Sequence, residues 1–141
     1  MFKTMFFTAI IALLTLSSCK KEALDDMTLL TTGKWKITAQ TRNGVDVLNP
    51  VRNCEADDSW QFTASGNITI DNGATKCAAS DPQTQAVGRW SLSGTAPKRF
   101  IIIEDTSPYN SSSYDIVELT GSVFKITYVE TRDTYVSTFG K

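Results

Sequence analysis

The stretch Gly33-Lys34-Trp35-Lys36-Ile37-Thr38-Ala39-Gln40 decides the fold class of this chain. Apolar Trp35, Ile37 and Ala39 alternate with polar neighbours, which is the two-residue period of a half-buried β-strand. The same period returns in four later runs, at Trp60/Phe62, Ile68/Ile70, Trp90/Leu92 and Phe124/Ile126/Tyr128. These runs predict an all-β domain.

Turn residues separate the apolar runs, and the short gaps between runs favour antiparallel neighbours. The turns include Asn43-Gly44, Asn72-Gly73, Ser93-Gly94 and Thr120-Gly121. We expect eight strands, over residues 34–41, 58–63, 67–71, 86–93, 98–104, 113–120, 122–130 and 133–140. The longer links 44–57 and 107–113 are expected to be surface loops. An eight-stranded antiparallel up-and-down barrel would leave no exposed strand edge, and a two-sheet sandwich is the alternative.

Length and composition restrict the possible functions. A chain of 141 residues suffices for one domain, and 14 basic against 15 acidic side chains provide no basic surface for nucleic acid. The chain contains no histidine, which removes Ser-His-Asp and Cys-His catalytic systems and imidazole metal ligands. We therefore expect a protein that is not an enzyme, with no catalytic residues, no metal site and no cofactor.

The N-terminus has the pattern of a secretory signal. A positive start at residues 1–3 is followed by an apolar run at residues 5–16. A membrane-spanning helix needs about 20 apolar residues, whereas this run ends at Ser17. We interpret residues 1–18 as a cleaved signal peptide.

The end of this segment, Leu16-Ser17-Ser18-Cys19, resembles the lipobox of bacterial lipoproteins. The resemblance implies that Cys19 receives diacylglycerol and a further acyl chain such as palmitate, which would hold the protein on a membrane. Lys20 after the cysteine resembles the outer-membrane sorting signal of Gram-negative lipoproteins. The implied organisation is a lipidated tether at residues 19–32 and a domain at residues 33–141, on the periplasmic side or the cell surface.

Two cysteines remain after Cys19, and an exported protein meets an oxidising compartment. One pairing is possible, Cys54 with Cys77, and closing a loop of about 24 residues should stabilise the fold by roughly 3 kcal/mol. The alternative is a metal site that adds Glu55, Asp57 and Asp58 to the two thiols. Structural zinc normally takes four Cys or His ligands, often with close Cys pairs, so the disulfide is favoured.

Asp57 and Asp58 form a carboxylate pair in the sequence. Adjacent side chains on a strand point to opposite faces, so the two carboxylates are not expected to act together as acid and base. We expect them to be solvated, or bonded to turn amides near Cys54.

Gly33-Lys34-Trp35 resembles the Gly-x-Trp motif that opens lipocalins, in which the tryptophan seals one end of the barrel. Further motifs, in the same order, are similar to the small lipocalin-like domain of Gram-negative lipoproteins: Cys54-Glu55-Ala56-Asp57-Asp58, Trp60, Phe62, a Gly turn, Cys77 and Gly88-x-Trp90. The likeness runs from Leu30 to Lys141. It implies a lipocalin-like barrel.

Seven aromatic side chains are candidates for the core or for a ligand cavity: Trp35, Trp60, Phe62, Trp90, Phe100, Phe124 and Tyr128. The interior of an eight-stranded barrel is either filled by side chains, the simpler interpretation, or holds one small ligand. One hypothesis is a small apolar ligand in the barrel. The other is a filled-barrel accessory protein that binds a protein partner through its loops and the outer residues Ile101 and Ile103. An internal cavity of at least roughly 300 Å³ would favour the first hypothesis.

Overall fold

A computed structural model describes residues 24–48, 54–94, 98–104 and 110–141. The predicted signal peptide and Cys19 lie outside these residues. Within them, no helix is long and apolar enough to cross a membrane. The described elements are α1 (Asp26–Thr31), β1 (Lys36–Arg42), β2 (Val45–Asp46), β3 (Ser59–Phe62), β4 (Asn67–Asp71), β5 (Thr84–Ser93), β6 (Arg99–Glu104), β7 (Ser111–Leu119), β8 (Val123–Glu130) and β9 (Asp133–Gly140).

The nine described strands form one antiparallel sheet in the order β2-β1-β9-β8-β7-β6-β5-β4-β3. The predicted all-β antiparallel fold is confirmed. The sheet curves until its first and last parts meet at Trp35 and Trp60, which form an isolated antiparallel bridge. Among the described residues this bridge is not extended into a ladder between β1 and β3, so closure into a barrel stays a prediction.

The strand count differs from the expected eight because of β2. Asn43 and Gly44 both have positive φ, 51° and 81°, and turn the chain back on β1. Two residues, Val45 and Asp46, then pair with Arg42 and Thr41. The prediction that residues 44–57 form only a surface loop was therefore wrong at Val45 and Asp46. A strand of two residues is too short to show a period in the sequence.

The second predicted loop is also partly wrong, because β7 begins at Ser111 rather than at Ser113. Ser111 and Ser113 pair with Ile103 and Ile101 of β6. Polar serines extend this strand because the neighbouring strand supplies backbone hydrogen-bond partners, which the side-chain pattern does not reveal.

One end of the curved sheet, here called the capped end, is covered by α1. Asp25 is the N-cap of this helix, and its side chain accepts a hydrogen bond of 2.8 Å from the Thr28 amide. Leu30 points into the core and has no exposed surface. The Trp35 indole nitrogen donates to the Leu30 carbonyl at 2.9 Å. The described part of the predicted tether therefore packs as a lid on the sheet.

The predicted disulfide joins Cys54 and Cys77, whose Cα atoms are 4.9 Å apart. This pairing is confirmed. The alternative metal site is wrong, because the bond uses both thiols and leaves no thiolate to bind a metal.

Trp35 tests the packing of the capped end. It is fully buried, its ring lies edge-on to Phe124, and the Lys141 ammonium sits 4.2 Å above the ring. Trp35→Ala should lower the free energy of unfolding by about 3 to 5 kcal/mol, because truncation leaves a cavity. Trp35→Phe should cost less, since it keeps most of the apolar volume. Chemical denaturation measures both effects.

The matched control is Lys36→Ala, which truncates the exposed first residue of β1, directly after Trp35. This variant should change stability little. If Lys36→Ala were as damaging as Trp35→Ala, the inward and outward faces of β1 would be assigned incorrectly.

Candidate functional site

A cavity of about 390 Å³ lies inside the curved sheet, between the packed aromatic rings and the end opposite α1, here called the open end. Its volume falls within the range of roughly 300–1,000 Å³ that is typical of small-molecule sites. Inward-facing side chains from eight strands and the segment before β3 line it: Ile37, Gln40, Glu55, Asp58, Trp60, Phe62, Ile70, Gln85, Phe100, Ile102, Tyr114, Phe124, Ile126, Tyr128, Ser137 and Phe139.

The floor of the cavity is a cluster of aromatic rings. Phe62, Phe100 and Phe124 contact one another edge to face, with ring centroids 5.2 to 6.2 Å apart. All three side chains are buried. Other inward positions of the lining hold smaller or polar side chains such as Ser137 and Gln40, and a space remains between them and the rings.

A second cavity of about 460 Å³ adjoins the first near β5. The two share five lining residues, which are Trp60, Ile70, Gln85, Ile102 and Tyr114. Gln85 and Glu104 in the walls are solvent-exposed, so the combined space opens to solvent on this side.

Polar groups in the walls are few. The Gln40 side-chain amide donates to the Ser137 hydroxyl at 3.1 Å, which satisfies both groups in part. Tyr128 lies edge-on to Tyr114 and stacks on Tyr135, at 5.2 and 5.1 Å between ring centroids. Burial raises the pKa of the Tyr128 hydroxyl, and the nearby Tyr114, Glu130 and Tyr135 raise it further. Tyr128 is therefore a neutral wall residue.

Asp58 is the polar wall residue with the most unusual surroundings. It precedes β3 and has the same inward direction as Trp60 and Phe62, two and four residues later. Its Oδ1 is buried and finds no hydrogen-bond partner among the described residues. Burial raises the pKa of its carboxyl, and the negative charges of Asp57, Glu55 and Asp71 add to this effect.

Asp57 takes the opposite direction and holds a turn. Its Oδ2 accepts hydrogen bonds from the amides of Ala74 and Thr75, at 2.6 and 3.1 Å, although its Oδ1 is also buried without a partner. Gly73 approaches this carboxylate so closely that a Cβ would lie 2.4 Å from the Asp57 Cγ. The disulfide joins Cys54, four residues before Asp58, to Cys77. The segment that carries Asp58 is therefore held to residues 74–77 by the disulfide and by the hydrogen bonds of Asp57.

The carboxylates were expected to be solvated or bonded to turn amides. The Oδ2 of Asp57 accepts hydrogen bonds from turn amides, as expected. The Oδ1 atoms of Asp57 and Asp58 are buried without a hydrogen-bond partner among the described residues, so the prediction is wrong for these two atoms. The alternation of side chains along a strand indicated that the two would separate, but not which of them would face inward.

Acidic side chains form part of the described cavity wall. Its described lining includes the acids Glu55 and Asp58 and contains neither lysine nor arginine. The nearby Lys34 is engaged elsewhere, since its ammonium lies 2.8 Å from the Asp71 carboxylate. This hydrogen bond from Lys34, together with one from Gln83, lowers the pKa of Asp71 to about 2.

The aromatic residues predicted from the sequence divide into two groups. Five of the seven line the cavity, namely Trp60, Phe62, Phe100, Phe124 and Tyr128. The other two are buried in the core but do not line it, and these are Trp35 and Trp90. The sequence reasoning did not select Gln40, Ser137 or Asp58, although each lies on the inward face of its strand or beside it.

Fold and cavity together define a class of protein, an antiparallel β-domain wrapped around an interior space. The family model of the lipocalin-like domain matches residues 31–126, which is more than half of the chain. The chain therefore belongs to the lipocalin-like domain family. No curated protein matches it.

Asp58 generates a prediction about stability and pH. Asp58→Asn should raise the free energy of unfolding at neutral pH, because it removes a carboxylate charge that burial and neighbouring acids disfavour. A carboxyl whose pKa is raised by folding destabilises the native state above that pKa, and the cost disappears below the ordinary value of 3.8. The advantage of the variant should shrink as the pH falls and vanish below 3.8. Urea unfolding at a series of pH values measures it.

Asp46→Asn is the matched control, because it makes the same charge change at an exposed residue outside the cavity. It keeps the side-chain oxygen that accepts from the Leu48 amide. An equal gain in stability in Asp46→Asn would show that the gain comes from the change in net charge. A loss of stability in Asp58→Asn would contradict the claim that burial disfavours the charge of Asp58.

Proposed function

We propose that this protein holds a small, mainly apolar ligand in the cavity of its lipocalin-like domain. The observation that carries the proposal is the cavity of about 390 Å³, whose walls are mostly aliphatic and aromatic. Binding sites of this kind bury an apolar ligand and use a few polar groups to orient it. Its volume exceeds the threshold of roughly 300 Å³ that separates a ligand site from a filled interior.

The competing hypothesis is an accessory protein with a filled barrel that acts through a protein partner. In its favour, Ile101 and Ile103 alternate with the inward-facing Phe100 and Ile102 and lie on the outer face, half-buried. A solid interior would support this hypothesis further. The cavity supports ligand binding instead.

We also propose that the protein acts by binding and not by catalysis. The chain contains no histidine. Among the described wall residues, the one serine hydroxyl, on Ser137, is bonded to the Gln40 amide, which is not a base. A nucleophile needs an adjacent general base to be activated.

The proposed location is the outer membrane, with the protein anchored through acyl chains on Cys19. The support is the order of the N-terminal segments, an apolar run at residues 5–16 followed directly by Leu16-Ser17-Ser18-Cys19. Each buried acyl methylene contributes about 0.8 kcal/mol, so several chains would hold the protein firmly. The described chain enters the domain through α1 at the capped end.

Ligand binding is tested with N-phenyl-1-naphthylamine, an uncharged apolar fluorophore, and the purified full-length protein. Ile102 lines both cavities, so Ile102→Trp should fill the space and lower the affinity at least about tenfold, equivalent to about 1.4 kcal/mol. Fluorescence titration measures the affinity.

The control, Ile101→Trp, places the same side chain on the outer face of β6 and should bind the fluorophore as the native protein does. Both variants keep the apolar N-terminal run, so its contribution to probe binding cancels. Equal affinity of the two folded variants would contradict binding in the cavity.

The anchor is tested by Cys19→Ala. This variant should leave the domain folded and release it from the membrane, since Cys19 precedes every described strand. Cell fractionation measures the distribution between pellet and supernatant. Ser18→Ala keeps a small residue before the cysteine and should stay in the membrane, whereas a Cys19→Ala protein that also stays there would contradict the anchor.

A further inference from the structure

We propose that the ligand carries a positively charged ammonium group beside its apolar body, and that the carboxylate of Asp58 binds this group. The inference rests on the proposed function and names the chemical class of the ligand. It follows from three observations on the cavity wall: an unpartnered carboxylate oxygen on Asp58, the charge of this residue in a described lining without lysine or arginine, and the aromatic side chains of the same lining.

The first observation is the Oδ1 of Asp58, which is buried and without a hydrogen-bond partner among the described residues. A buried carboxylate oxygen that lacks a partner is unfavourable, and a charged donor is its most favourable complement. Asp58 shares the inward face of Trp60 and Phe62 and lines the cavity. Asp58 therefore borders the space that a ligand in the cavity would occupy.

The second observation is the charge of Asp58 in the wall. The described lining contains neither lysine nor arginine, and Lys34 is engaged by Asp71 at 2.8 Å. A carboxylate ligand such as a fatty acid would meet the like charge of Asp58. An ammonium would meet the opposite charge.

The third observation is the aromatic content of the wall that also contains Asp58. Trp60, Tyr114 and Tyr128 are all lining residues, and ring faces attract cations within about 6 Å. Rings and carboxylate together favour an ammonium, while Ile70, Ile102 and the phenylalanine floor accommodate the apolar body.

Three ligands of equal chain length separate the contributions of charge and of apolar surface. Octylamine is protonated at neutral pH, octanol is neutral and octanoate is negative. Isothermal titration with the full-length protein should give affinities in the order octylamine, octanol, octanoate, with the amine about tenfold tighter than the alcohol, as expected for a hydrogen bond to a charged group.

Asp58→Asn should remove the preference for octylamine over octanol, because the variant lacks the negative charge that the ammonium group would contact. Asp46→Asn, which makes the same charge change outside the cavity, should keep the preference. This pair distinguishes a contact at Asp58 from the general effect of net charge.

Each other outcome overturns a defined part of the account. Equal binding of amine and alcohol, or a preference that persists in Asp58→Asn, overturns the ammonium inference while octanol binding still supports an apolar ligand site. Tighter binding of octanoate overturns it as well. If none of the three ligands and not even N-phenyl-1-naphthylamine binds, the proposed function itself falls.

Discussion

Two backbone hydrogen bonds between Trp35 and Trp60 are the constraint on which the shape of this domain depends. The Trp35 amide donates to the Trp60 carbonyl at 2.8 Å, and the Trp60 amide donates back at 2.7 Å. They connect the chain before β1 to β3, which is the last strand of a nine-stranded sheet. A sheet joined in this way must curve, and the inward faces of its strands then lie opposite one another.

The curvature has different consequences at the two ends of the sheet. At the capped end, Leu30 and the large rings meet and exclude water, which provides most of the apolar burial that stabilises the domain. Towards the open end the inward side chains leave a space, which is the cavity. Asp58 borders this space, and burial raises the pKa of its carboxyl, a combination that is common at binding sites.

The sequence predicted the strands well wherever alternation continued for four or more residues. β4 and β9 have the expected bounds, over residues 67–71 and 133–140. It did not predict β2 or the start of β7, because two residues show no period and serines carry no apolar signal. The disulfide followed from counting cysteines.

The cavity was less accessible to sequence reasoning. Its aromatic wall could be named in advance because large rings on one strand face must be buried. Its volume depends on how far the sheet curves and on which inward positions hold small side chains such as Ser137, and neither is visible in the period of one strand. The sequence drew attention to Asp58 as one of a carboxylate pair but not as a wall residue, because its inward direction and its unpartnered oxygen are visible only in the folded arrangement.

The central claim is that the space between the strands is the binding site. The most direct measurement is the set of intermolecular nuclear Overhauser effects between bound octylamine and isotope-labelled methyl groups of the protein. The account predicts contacts from the alkyl chain to the methyl groups of Ile70, Ile102 and Ile126, which line the cavity. Contacts confined to the outer side chains Val117 and Val129, which are 58% and 71% exposed, would contradict it.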